Sequence, residues 1–352
     1  MLVGPLPPPF GGMANQTRQL ARLLSQEGVR VGVVRSNAPY RPAWIGRFRG
    51  IRAVFRLLPY LLRLWRGAGE CDVVHVMANS GWSWHLFAAP AIWVAALRRI
   101  PVVVNYRGGE AAVFLNESES LVKWSLRWVD EVVVPSGYLR DIFEAHGIET
   151  KIIPNVVDLS LFEGEERDRA SDTPHLIVCR NLEPIYDNAT ALRAFSEIQK
   201  KHPKARLTIA GEGPQRHELE QLAVDLGLED KVCFAGRLDV KSIVELYRSA
   251  DLMLNASRVD NMPNALLEAL SMGVPIVTTD AGGIPYIVED GKTALIVPVG
   301  DWEAMARQAE RLLHDAVLYR ALSSGGLEAV TRYRWASVGP RWLTCYRSLV
   351  AS

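Results

Sequence analysis

The feature that most constrains this chain is a repeating alternation of short, branched apolar runs with helix-length amphipathic segments. In the first half the runs are VRVGVV, DVVHVM, PVVVNY, EVVVP and TKIIP; in the second they are HLIVC, RLTIA, KVCFAG, DLMLNA, PIVTT and ALIVP. Unbroken Val-Ile-Leu runs belong to strands buried on both faces, and a helix between two strands is the crossover that parallel pairing requires. The pattern predicts an α/β chain built from doubly wound parallel sheets.

At 352 residues the chain suits two ordinary cores rather than one. The polar stretch LSLFEGEERDRASDTP, Leu159 to Pro174, lies between the runs TKIIP and HLIVC and marks the expected break. The expected domains are residues 1–160 and 161–335. Residues 336–352 form a terminal helix with no strand after it, expected to pack back on the first domain. Only Met1, Leu2 and Val3 precede the first turn, against a usual strand of about five residues, which suggests a native start upstream.

A composition of 49% hydrophobic and 22% charged residues argues for folded structure. No window approaches the ~18 apolar residues a membrane helix needs, the longest candidate being Leu86 to Leu97. The N-terminus MLVGPLPPPFGG has no positive n-region and no small-residue cleavage site, so a cytoplasmic location is expected. Cys71, Cys179, Cys233 and Cys345 are scattered, as in a reducing compartment, and form no metal-ligand spacing.

The net charge of +1 conceals an asymmetry. Residues 1–100 hold thirteen arginines and no lysine against Glu27, Glu70 and Asp72, a balance of +10, so the remainder carries −9. Seven of those arginines fall in Arg41 to Gly67 with no acid, alongside Phe48, Ile51, Phe55, Leu58, Leu62 and Trp65 at helical spacing. A basic helix with aromatic residues suits an anionic membrane surface. An amphipathic helix covering a sheet has the same pattern, and Pro59 should kink it. No nucleic-acid partner is expected.

In open α/β sheets ligands sit beyond the carboxyl ends of the strands, so loops following strands are where a site belongs. In PPPFGGMANQ, Gly11 and Gly12 precede a helix expected from about Met13 to Gln26, an arrangement that lets backbone approach a diphosphate at a helix N-terminus. It is not G-x-G-x-x-G, so a dinucleotide-dependent dehydrogenase is unsupported. The GKT at Gly291 has Tyr286 where a P-loop needs glycine. The stretch RVDNMPNALLEAL, Arg258 to Leu270, places Asp260 after the strand DLMLNA and Glu268 on a helix whose first turn suits Pro263. Both carboxylates suit a ligand site. Asp260 as a helix cap and Glu268 as a solvated helix residue are the plainer readings.

Taken together, SRVDNMPNALLEALSMGVPIV, Ser257 to Val277, resembles the signature of the retaining family 4 (group 1) glycosyltransferases, whose mark is two acidic residues separated by seven. PPPFGGMANQ, PSGYLRDIFEAHGIETKIIPNVVD, IAGEGPQRHELEQLAVDLGLEDKVCFAGRLD and TTDAGGIPYIVEDGKTALIVPVGD look like the same family in the same order. The resemblance implies the GT-B fold, two facing Rossmann-like domains with a cleft between them. It implies retaining transfer of a sugar from a UDP- or GDP-sugar to a glycan or lipid-linked acceptor, with no metal cofactor.

Residue by residue, the resemblance gives Glu268 the ribose hydroxyls and Asp260 the transferred sugar. It gives Asn264, Ala265 and Leu266 backbone amides for the diphosphate, Gly12 with Gly11 its cover from the first domain, and Arg180 the leaving phosphate's charge. Gly211 and Gly213, in the GEGP loop after RLTIA, fall in the donor region. Three positions depart from the family pattern. Asp260 stands where glutamate is usual, Tyr186 or Asp187 where a lysine assists the arginine, and Arg107, in VVVNYRGGEA, where a histidine is common. Arg107 has three readings: a ligand for an anionic acceptor, a ligand for the diphosphate, or a structural partner of Glu110. The departures keep open a second function, a glycosyltransferase-like protein that binds nucleotide or glycan without turnover.

Overall fold

In a computed structural model, the chain is described over residues 1–8, 12–39, 52–156, 161–168 and 170–351, the side chains of residues 52–54 excepted. It divides into two compact units, Met1–Val156 with Trp335–Ser352, and Val157–Arg334.

The first unit holds strands β1 (Leu2–Gly4), β2 (Val33–Arg35), β3 (Val74–Ala78), β4 (Val102–Tyr106), β5 (Glu131–Val134) and β6 (Lys151–Ile152). They form one parallel sheet in the order β2-β1-β3-β4-β5-β6. Its helices are α1 (Gly12–Gln26), α2 (Arg52–Ala68), α3 (Ala89–Leu97), α4 (Ala111–Leu126) and α5 (Gly137–Ala145), with the C-terminal helix Trp335–Val350. The pleat sorts successive residues onto two cores. Val102, Val104 and Tyr106 face α2, α3, α4 and α5, whereas Val103 faces α1 and the C-terminal helix. That helix enters the second core through Val338, Trp342 and Cys345, beside Leu20 and Leu24.

The second unit holds β7 (His175–Cys179), β8 (Arg206–Ala210), β9 (Val232–Gly236), β10 (Leu252–Asn255), β11 (Ile276–Thr279) and β12 (Leu295–Val297). They are parallel in the order β12-β11-β10-β7-β8-β9. Helices α6 (Asn188–Lys201), α7 (Arg216–Asp225), α8 (Val240–Ser249), α9 (Asn264–Ser271), α10 (Trp302–His314) and α11 (Ala316–Ala329) complete the unit, making the C-terminal helix α12. The same sorting holds here, with Leu176 and Val178 facing α6 and α10 while Ile177 faces α8 and α9. Aspartates cap α8, α10 and α11, Asp239, Asp301 and Asp315 accepting from the amides of Ser242, Ala304 and Leu318.

Some expectations change. Of VRVGVV only Val33 and Val34 pair as strand, β2 ending at Arg35 just beyond the run; β2 is an edge strand held by β1 alone. Helix α1 starts at Gly12, and α9 starts at Asn264 with Pro263 in its cap position, at φ −67° and ψ 118°. The segment Gly81 to Trp93 is helical, a π-type turn over Trp84–Ala88 running into α3, with Trp84 fully buried. The polar stretch after Leu159 is anchored on the second unit. Arg167 donates to the carbonyls of Tyr247, Ala250 and Met272, and Ser171 is held by the Asp251 carboxylate.

Candidate active site

In the second sheet, the connection from β7 runs to β8 on one side, while β10 takes the place on the other side of β7. The loops after β7 and β10 therefore leave the sheet in opposite directions from neighbouring strands, the arrangement that opens a crevice for ligands. The loop after β7 carries Arg180 and the loop after β10 carries Asp260. Arg180 Nη2 and Asp260 Oδ2 form an ion pair, with side chains only 10% and 12% exposed. The two loops are joined again at Arg258, whose amide donates to Ile185 O at 2.8 Å and whose Nε donates to Asp187 Oδ2 at 2.8 Å. Asp187 reaches that position from a left-handed backbone, φ 43°.

A third loop, after β11, closes on the same place. The Gly283 amide donates to Asp260 O at 2.7 Å, and a Cβ on Gly283 would collide with the carbonyl of Asn261. Likewise a Cβ on Gly211 would meet the Arg180 carbonyl, and one on Gly213 the Leu182 carbonyl. The GEGP glycines are thus required by the close passage of the backbone that carries Arg180. Leu182 N to Glu212 O at 3.0 Å and Gln215 N to Leu182 O at 3.1 Å complete that contact.

Arg180 also lies over the ring of Tyr186, its guanidinium carbon 4.0 Å from the centroid. Where the family pattern has a second cation, this chain has a ring that stacks on the first. Burial draws the Arg180 pKa down from its ordinary value, opposed by its neighbours Tyr186, Tyr247 and Glu268. An arginine retains its charge through such a shift.

Glu268 projects from α9 and accepts from Tyr247 Oη at 3.0 Å; the same hydroxyl lies 3.1 Å from Ala265 O. Burial raises the Glu268 pKa, while the Tyr247 bond and the Arg180 charge hold it down. Neither plainer reading survives. The cap position of α9 is Pro263, so Asp260 caps no helix. Glu268 is a half-buried, hydrogen-bonded carboxylate rather than a solvated one.

The N-terminus of α9 has no side-chain hydrogen bond from its cap residue Pro263. Leu266 has its side chain in the core, and its amide donates to Pro263 O at 3.2 Å. Asn264 and Ala265 stand at the first two positions of that turn. The structure therefore brings Arg180, Tyr186, Gly211, Gly213, Asp260, Asn264, Ala265, Leu266 and Glu268 to one end of the second sheet.

Gly12 and Arg107 belong to the first unit; Gly11 lies outside the described residues. Gly12 opens α1, and a Cβ there would meet nothing within 4 Å, so packing does not demand a glycine. Arg107 follows β4, and its Nη1 donates to Gln16 Oε1 at 3.4 Å and to Asn155 Oδ1. Gln16 also spans Val156, donating to its carbonyl at 2.7 Å and accepting from its amide at 3.1 Å. Burial lowers the Arg107 pKa to about 9. Behind it His75 bridges Tyr346 Oη, at 2.7 Å, and Asn105 Nδ2, at 3.1 Å, tying α12 to β3 and β4.

Tyr247, Arg258 and Gly283 were not singled out in the sequence. Arg258 lies inside the signature stretch, so its charge two residues from Asp260 was a readable signal. Tyr247 had none, because it sits in an amphipathic helix 21 residues before its partner. Among the described residues no group of three or more His, Cys, Asp and Glu is arranged to hold a metal ion.

Comparison with known proteins places this geometry. The family model for glycosyl transferases group 1 matches residues 163–328, and that for glycosyltransferase family 4 matches residues 10–161. The N-acetyl-alpha-D-glucosaminyl L-malate synthase of Bacillus anthracis is 25% identical over 377 aligned residues, covering 96% of this chain and 94% of that protein. The phosphatidyl-myo-inositol mannosyltransferase of Mycobacterium leprae is 25% identical over 365, covering 97% and 94%. Anabaena HepE, solved in complex with UDP, superposes with a TM-score of 0.77 at 19% identity, covering 99% of both chains. Each unit carries its own doubly wound parallel sheet, as the GT-B fold requires. The chain belongs to the family 4, group 1 glycosyltransferases.

Proposed function

We propose that the protein transfers a sugar, with retention, from a nucleotide diphosphate sugar to a glycan or lipid-linked acceptor, without a metal cofactor. The observation that carries this reading is the set Arg180, Asp260, Glu268 and Tyr247, largely shielded from solvent, at the switch point of the second sheet. Breaking a glycosyl-phosphate bond builds positive charge on the sugar and negative charge on the departing phosphate. A cation fixed beside that phosphate lowers the barrier. Arg180 has five N–H donors, so it can keep Asp260 on one edge and meet the diphosphate with the other.

The stacked Tyr186 fixes the plane of the Arg180 guanidinium, which preorganises it for this task. Glu268 takes the ribose hydroxyls, with Tyr247 holding its orientation. The amides of Asn264 and Ala265 meet the diphosphate, and Asp260 meets the transferred sugar. Arg107, held by Gln16 and Asn155, is the cation on the acceptor side. HepE is described with UDP, which supports a nucleotide donor. The two relatives' names differ in both sugar and acceptor, and one names a phosphatidylinositol, which supports the lipid-linked class.

The test is thermal unfolding with saturating UDP, then GDP, for wild type and Glu268→Ala. A ligand at 100 times its dissociation constant adds about 2.7 kcal/mol of stability. One nucleotide should raise the melting temperature of wild type and leave the variant unmoved. No shift with either nucleotide would end the donor reading.

A further inference from the structure

Helix α2 has more apolar surface than its own domain uses. Tyr60, Leu64 and Ala68, with Leu57 and Leu61 beside them, face the sheet and are buried or partly buried in the core. A second stripe points away. Phe55, Leu58, Leu62 and Trp65 are 47%, 59%, 54% and 47% exposed, at spacings of three, four and three that set them along one line of the helix. The stripe read from helical spacing is therefore not the face that covers the sheet; a separate face of α2 does that.

The charge on the same helix has one sign. Arg52, Arg56, Arg63 and Arg66 lie in α2 with no acid, and Arg63 and Arg66 are exposed beside the outer stripe. Arg98, at the end of α3, adds a further cation over the ring of Trp65, 4.9 Å from its centroid. Residues 40–51, which hold the other arginines of the segment, lie outside the described residues. Among the described residues no helix is long and apolar enough to cross a membrane, so this surface can lie on a bilayer but not span it.

We propose that the outer face of α2, formed by Phe55, Leu58, Leu62 and Trp65 with Arg63 and Arg66, docks this chain on an anionic lipid surface. Apolar and aromatic side chains enter the acyl boundary while the arginines stay among the phosphates, a division that only an anionic interface accommodates. A second copy of the chain is the poorer occupant. Isologous pairing would set the same cationic face against itself, and like charges at short range repel. The proposal does not depend on the donor site acting as described above.

The experiment is co-sedimentation of the full chain with vesicles of phosphatidylcholine and phosphatidylglycerol in equal parts, against vesicles of phosphatidylcholine alone. Wild type should pellet with the anionic vesicles and be released at ~1 M salt, where the screening length falls to about 3 Å. Each arginine withdrawn should weaken binding about fivefold, so Arg63→Glu/Arg66→Glu should cost at least about 25-fold. Leu62→Asn/Trp65→Asn should cost at least about tenfold with an unchanged melting temperature, since both side chains are exposed. Wild type left in the supernatant, equal binding to phosphatidylcholine alone, or unchanged binding of the apolar variant would each overturn the proposal. So would a concentration-dependent dimer in sedimentation velocity that Leu62→Asn/Trp65→Asn dissociates, which would give the face to a second copy.

Discussion

Replacing Arg180 by methionine tests whether the pair it makes with Asp260 is a buried ion pair. Both side chains are about nine-tenths buried, so solvent screens the pair weakly. Arg180→Met keeps an unbranched apolar stem and removes the charged guanidinium, leaving the Asp260 carboxylate buried without its partner. Breaking such a pair from one side costs about 3–5 kcal/mol. For a unit the size of Val157–Arg334 that is a fall of about 6–20 °C in its melting transition. Asp260→Asn strands the cation instead and should also destabilise.

Arg180→Met/Asp260→Asn removes both charges and should recover much of the loss, with a coupling energy of about 2–3 kcal/mol. The four proteins are compared by urea unfolding followed by far-UV circular dichroism, reading the transition of the second unit. Coupling below about 0.5 kcal/mol would refute the argument, because it would mean that water already screens the pair. The double variant should still bind nucleotide weakly, since the phosphate cation is gone.

Three further outcomes follow from the geometry. Tyr247→Phe removes the donor at 3.0 Å from Glu268, costing about 1.5–3 kcal/mol. It also lets the Glu268 pKa climb further, so nucleotide-induced stabilisation, which needs the carboxylate, should fail at a higher pH than in wild type; an unchanged pH profile would refute this. Gly211→Ala should destabilise by about 1–3 kcal/mol, because its Cβ meets the Arg180 carbonyl, while Gly12→Ala, facing open space, should be neutral within about 0.5 kcal/mol by thermal melting. The His75 pKa lies well below its ordinary value, through burial first, then the Arg107 charge, then the N-terminal amine. A depressed folded pKa gives stability that is full above the unfolded value of about 6.5 and lost as pH falls, at up to about 1.4 kcal/mol per pH unit. His175 shifts in the same direction in the second unit, so the readout is the difference between wild type and His75→Gln, whose acid-side slope should be shallower.

Much of the fold is legible in the sequence because strand and helix identity are local. The run HLIVC pairs as a strand buried on both faces, as its composition requires. The neighbourhood of Asp260 and Glu268 was legible for the same reason, since both lie within one signature stretch.

What only the tertiary structure decided is which residues meet. Arg180 and Asp260 are 80 residues apart, and they pair because β10 takes its place beside β7 rather than beside β9. Strand order arises from the packing of whole layers, and no local pattern encodes it. Tyr247 bonds Glu268 because α8 and α9 share one face of the sheet, and Gly211 is a glycine because the Arg180 backbone crosses it. Periodicity showed that α2 has an apolar face. That it has two, one spent on the sheet and one left to solvent, depends on which neighbours cover it, and coverage is a property of the folded domain rather than of the helix.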